Sequence, residues 1–132
     1  MQKLSPQRLA EIQHALEEYD VVELNVVSGS MLPLIGINEK ILVQSIHKLN
    51  RELEPFDIIL FLQDQILLCH YVAHINFLPG PDGRRFVTTQ GLSSPGEDLP
   101  VYYDQILGTV VSHQIKGWSR WRLMLKSWRG QS

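Results

Sequence analysis

Between Val21 and Ile115 the chain is cut into short apolar runs, and none of the intervening segments carries a helical period. The runs are VVELNVV, KILVQSI, DIILFL, QILLCHYVAHI, RRFVTTQ and QILGTVVSHQI, rich in Val, Ile, Leu, Phe and Thr. Between them stand SGSMLPLIG, NRELEPF, FLPGPDG and GLSSPGEDLP, whose Gly, Pro, Asn and Ser content breaks regular structure. Runs of this length and composition, bounded in this way, read as strands. PGPDGRR between two of them predicts a hairpin loop. Without alternating helices a parallel sheet has no crossovers, so the expectation is a mainly β fold: a small antiparallel β-sandwich or partly open barrel.

Helical periodicity is confined to the two ends. Ser5 and Pro6 supply an N-cap and a first helical residue, and Leu9, Ile12, Leu16 and Tyr19 recur at spacings of three and four. A helix over 5–19 with one apolar stripe follows. At the other end, Trp118, Trp121, Leu125 and Trp128 repeat the three-four-three spacing, which predicts a helix or partial helix. The expected organisation is one globular domain: an N-terminal amphipathic helix over 1–20, a β-rich core over 21–115 and a Trp/Arg-rich tail over 116–132. At 132 residues, 44% of them hydrophobic and with a net charge of −2, the chain can bury one core and is not a disordered polymer.

Charge and cysteine content set expectations about surroundings. The tail holds Lys116, Arg120, Arg122, Lys126 and Arg129, five of the 12 basic side chains, and none of the 14 acidic ones. An acidic body with a cationic, tryptophan-bearing end suits contact with an anionic membrane surface through Trp118, Trp121 and Trp128. The alternative is that these tryptophans dock the tail on the β body. Basic charge restricted to one tail argues against nucleic acid as a partner. Cys69 is the single cysteine, which excludes an intrachain disulfide and fits a reducing compartment. The N-terminus is polar, with no secretory signal, and no apolar run is long enough for a membrane span. The expected location is the cytoplasm, with the inner membrane face as a docking place.

Chemistry concentrates at three places. Val27-Ser28-Gly29-Ser30-Met31-Leu32-Pro33 puts a serine where a strand must turn sharply, which exposes a hydroxyl beside free backbone N–H groups. Such a hydroxyl attacks a carbonyl only if a base removes its proton in concert. The run Leu67-Leu68-Cys69-His70-Tyr71-Val72-Ala73-His74 supplies imidazoles on a strand, and unbroken alternation places His70 and His74 on one face. Gly96-Glu97-Asp98 supplies carboxylates that can orient an imidazole. His74 and Asp57 have ordinary structural explanations, Asp57 as an acceptor for turn N–H groups. A zinc site from His70, His74 and His113 lacks any established ligand spacing, so neither metal nor cofactor is expected.

Taken in order, these segments resemble the signal peptidase I family of serine endopeptidases, in the variant with histidine as base. Ser30-Met31-Leu32-Pro33 matches the family's Ser-Met-x-Pro box, and Ile41-Leu42-Val43 the strand that follows. Phe56-Asp57-Ile58-Ile59-Leu60-Phe61 stands at the Gly-Asp-hydrophobic run, and His70-Tyr71-Val72 where the family has Lys-Arg-Val or His-Arg-Val. Thr89-Gln90-Gly91 and Gly108-Thr109-Val110-Val111 match the late loop and strand, so the resemblance runs from about residue 24 to 112. The departures are Asn38-Glu39 and Phe56-Asp57 at two Gly-Asp positions, Gly91-Leu92 at a third, and Tyr71 for arginine.

The resemblance implies a serine endopeptidase that cleaves a leader or propeptide from an extended peptide or protein substrate. It implies Ser30 as nucleophile, His70 as general base, Asp98 as orienting acid with Glu97 and Asp104 as rivals, and Ser28 as an oxyanion-hole hydroxyl. Met31 and Pro33 would border the substrate. The alternative is a non-catalytic peptide- or membrane-binding relative of the same fold.

Overall fold

The computed structural model describes residues 4–26, 30–77, 83–92 and 99–115. Helix α1 (Pro6–Glu18) opens the chain as its sequence predicts: Ser5 is extended and its hydroxyl accepts the Arg8 N–H at 3.1 Å. A cap of this kind contributes about 1 kcal/mol. Ile12 and Leu16 are its buried residues, and each such side chain contributes about 1.5–3 kcal/mol of burial. The Leu4 N–H donates to the Gln65 carbonyl at 2.7 Å, which anchors the start of the chain to a hairpin turn.

Among the described residues seven strands follow: β1 (Val22–Val26), β2 (Glu39–Ser45), β3 (Ile58–Gln63), β4 (Ile66–Phe77), β5 (Arg85–Gln90), β6 (Leu99–Tyr102) and β7 (Ile106–Val110). They form one antiparallel sheet in the order β1-β2-β7-β3-β4-β5-β6, with β1 and β6 at its edges. Mainly β is therefore correct, but the many short strands build one continuous open sheet with a core on each face. The first core joins α1 to Met31, Ile35, Ile41, Val43, Ile58, Leu60, Cys69 and Tyr71. The second holds Leu53, Ile59, Phe61, Val72, Val87, Val101 and Ile106. Strand β3 sends Ile58 and Leu60 to one core and Ile59 and Phe61 to the other, which is why its sequence is an unbroken apolar run.

Two local features set the geometry. Gly108 of β7 lies so close to Gln44 of β2 that a Cβ there would strike the Gln44 carbonyl oxygen. On β4 the pairing with β5 shifts between Val72 and His74, a β-bulge. The bulge resets the alternation: Leu68, Val72 and Ile75 all pack on the second core, and His74 is exposed. His70 and His74 therefore do not share a face. β6 was not among the expected strands; Pro100, which cannot donate to a ladder, is tolerated because β6 is an edge. The PGPDG segment joins β4 to β5, which pair from Phe77↔Arg85 onward, as a hairpin requires. The expected C-terminal helix over 116–132 lies outside the described residues.

Candidate functional site

Ser30 follows β1 and opens a turn-rich loop that leads to β2. The loop is anchored from below by Met31 and Ile35, both fully buried, and the Ile35 N–H donates to the Met31 carbonyl at 3.0 Å. Leu32 and Pro33, joined by a cis peptide bond, are exposed. Met31 was expected to border a substrate. The structure makes it a core anchor with no surface to offer, leaving Leu32 and Pro33 as the exposed members of the box.

The Ser30 hydroxyl is placed against β4. Its Oγ donates to the Cys69 carbonyl at 3.3 Å, partly buried, 39 positions away in sequence. Strand carbonyls point sideways in the sheet plane, and the β4–β5 ladder begins only at Tyr71↔Gln90. Ser30 thus lies beside the stretch of β4 that β5 has left unpaired. On its other side stands Gly91, directly after β5: a Cβ there would sit 2.8 Å from the Ser30 carbonyl oxygen and 3.2 Å from the Ser30 Cβ. Only glycine permits that approach without moving Ser30.

His70 is the next residue along β4. Its ring meets Phe61 edge-on, with centroids 5.7 Å apart, on the face that carries Leu68 and Val72. Its Nδ1 is sealed from solvent and has no hydrogen-bond partner among the described residues. Burial pushes the imidazole below the usual histidine range, because the charged form would lose its hydration. A neutral imidazole is the form that can accept a proton. The Ser30 hydroxyl is directed at the Cys69 carbonyl, so an attack would require it to turn from that carbonyl to the imidazole. Cys69, sealed in the first core, has its thiol pushed up to about 12 by burial, which leaves it unreactive.

The remaining expected residues divide sharply. Ser28, Glu97 and Asp98 lie outside the described residues, as do Trp118, Trp121 and Trp128. Asp104 is exposed and paired with Arg84 at 3.2 Å, so it is engaged away from His70. Asp57 takes both guanidinium nitrogens of Arg51, at 2.8 and 2.9 Å, and accepts the Glu54 N–H at 2.8 Å. It is a turn-stabilising residue.

His113 does not join His70 and His74. Its Nδ1 lies 2.7 Å from the Ser112 Oγ and its Nε2 lies 2.6 Å from a Glu39 oxygen, while Ser112 Oγ accepts the Leu42 N–H at 3.0 Å. Sequence reasoning missed this serine–histidine–glutamate relay because Glu39 is far from His113 along the chain. Among the described residues no group of three or more could hold a metal ion. A cavity of about 250 Å³ lies elsewhere, lined by Ile46, Leu49, Leu53, Arg85 and Tyr103 among others. Neither Ser30 nor His70 lines it. Among the described residues no helix is long and apolar enough to cross a membrane. Comparison with protein-family models, with curated proteins and with solved structures finds no match.

Proposed function

We propose that the chain is a serine endopeptidase of signal peptidase-like type, with Ser30 as nucleophile and His70 as general base. One observation carries the reading: three sequence-distant segments that carry the resemblance meet at one point. Ser30 bonds the carbonyl of Cys69, the residue joined to His70, and Gly91 closes on the Ser30 backbone. Backbone geometry adds support. Asn38 and Phe56 stand at two positions where the resembled family carries glycine, and their φ angles are 63° and 76°. That is the left-handed region glycine favours.

The reaction is acyl transfer. As Ser30 Oγ bonds to the scissile carbonyl carbon, its proton passes to the His70 imidazole, and the carbonyl oxygen takes up negative charge. The Ser30 N–H and the Ser28 hydroxyl would stabilise that oxyanion. Collapse of the intermediate breaks the C–N bond, and the imidazolium gives its proton to the departing amine. Water then repeats the sequence on the acyl-enzyme and restores the serine. The resemblance gives Asp98 the role of orienting His70. β1 precedes the serine loop and its outer edge is unpaired among the described residues, which suits a substrate that adds as an extended strand. The substrate is a leader or propeptide, met in the cytoplasm or at the inner membrane face, where the cationic tail docks on anionic lipid.

The competing reading is a non-catalytic peptide- or membrane-binding relative. It draws on the Ser30 hydroxyl being committed to a backbone carbonyl. Profiling of protein N-termini in cells carrying the wild-type chain or Ser30→Ala separates the two. New N-termini that require Ser30 support the peptidase; identical profiles support the binding relative.

A further inference from the structure

The segment that closes on Ser30 is itself held by a bond outside the serine–histidine pair. Tyr71 and Gln90 are register partners at the end of the β4–β5 ladder, and the Tyr71 hydroxyl donates to the Gln90 Oε1 at 2.7 Å in a partly buried setting. Gln90 is the residue directly before Gly91. The Tyr71 side chain is sealed in the first core, and its ring stacks on Phe56 with centroids 6.1 Å apart and planes 14° from parallel. Phe56 is fixed in turn: its N–H donates to the Val72 carbonyl at 2.7 Å, and the Val72 N–H donates to the Asp57 carbonyl at 2.8 Å.

A continuous path therefore leads from the Phe56 turn through Tyr71 and Gln90 to Gly91 and Ser30. Two of its members, Phe56 and Tyr71, are departures from the resembled family's pattern, and the structure puts them in contact.

We infer that Tyr71 and Gln90 are positioning residues: their hydrogen bond holds Gly91 against the Ser30 backbone and so fixes where the nucleophile sits. The inference rests on the proposed peptidase reading for its catalytic consequence and on geometry alone for its structural one. Removing the bond loosens the end of β5 against β4, Gly91 backs away, and the serine gains room to move. Misplacement of a nucleophile by about 1 Å costs up to about 100-fold in rate.

The test uses the purified full chain with two readouts: cleavage of a defined pool of synthetic peptides, and the proton nuclear Overhauser contact between Gly91 Hα and Ser30 Hβ. Tyr71→Phe keeps the stacked ring and removes only the donor; Gln90→Leu removes the acceptor; Gln90→Glu keeps one. The expected result is a fall in kcat of about tenfold or more for Tyr71→Phe and Gln90→Leu, with KM within about twofold and a weakened Gly91–Ser30 contact. Gln90→Glu should restore both.

An unchanged contact in Tyr71→Phe and Gln90→Leu overturns the inference, whatever the rates do. A weakened contact with unchanged kcat also overturns it. If the wild type makes no Ser30-dependent cut at all, the peptidase reading fails, and the contact measurement alone decides whether the clamp holds Ser30.

Discussion

At the scale of single residues, burial decides what the ionisable groups near Ser30 can do. His70 is desolvated and its Nδ1 has no partner among the described residues, so the folded chain binds a proton there less readily than the unfolded chain does. The sign follows from linkage: below the ordinary histidine value of 6.5 the unfolded state takes up the proton first, so stability falls as pH drops through that value. Denaturant midpoints measured at pH 7.5 and pH 5.5 should show that loss, and His70→Gln should reduce it. His70 itself titrating above 6.5 in the folded chain would contradict this. Cys69 acts in the opposite direction: its thiol is raised to about 12 from 9.0, so stability falls as pH rises above about 9.

The same scale shows why single residues were only partly legible in the sequence. Ser30 and His70 were readable because hydroxyl and imidazole chemistry names its own candidates. Met31 looked like a substrate contact from its place in the Ser-Met-Leu-Pro box, but an unbranched apolar side chain beneath a sharp turn is drawn into the core. The Glu39–His113 pair was invisible because it depends on where β2 begins and β7 ends.

At the scale of elements, most of the strand pattern could be read and the exceptions have physical causes. The helix over Pro6–Glu18 and six of the strands announced themselves by period and composition. β6 hid behind Pro100 and an acidic loop. The bulge on β4 could not be read, since an extra residue in a ladder leaves no compositional mark, and it removed His74 from the face of His70.

The turn between β3 and β4 was likewise silent. Asp64 and Gln65 hold φ angles of 51° and 67°, the geometry of a two-residue hairpin that Asn-Gly usually fills. Gln65 pays a left-handed cost there that glycine avoids. Gln65→Gly should therefore raise the stability of the chain by about 0.5–1 kcal/mol, read as a shifted denaturation midpoint with unchanged slope. A loss of stability would show that the Gln65 side chain contributes more than its backbone strain costs. Asp57 gives a change of opposite sign: Asp57→Ala breaks a bidentate pair with Arg51 and a backbone acceptor, and should cost about 1–3 kcal/mol in the same measurement.

At the scale of the whole molecule, the sheet divides labour between its two faces. One face, covered by α1 and the serine loop, builds the ground on which Ser30 stands; the other holds His70 against Phe61. The serine comes to the imidazole-bearing strand from the side, in the plane of the sheet, because β5 stops at Gln90. The uneven charge of the chain acts at this scale too. An acidic body with a tail carrying five basic residues and three tryptophans should sediment with anionic vesicles and lose that binding when Trp118, Trp121 and Trp128 become alanine. Equal sedimentation of the two forms would show that the tryptophans do not dock the chain on a membrane.

Everything proposed for this site depends on Ser30 cutting peptide bonds with His70 as its base. The most direct measurement incubates the purified chain, Ser30→Ala and His70→Ala with the same defined peptide pool and reads every cut by mass spectrometry. The wild type should make discrete cuts and neither variant any, all three folding with the same β-type circular dichroism. Cuts that persist unchanged in Ser30→Ala, or a wild type that cuts nothing, would contradict it.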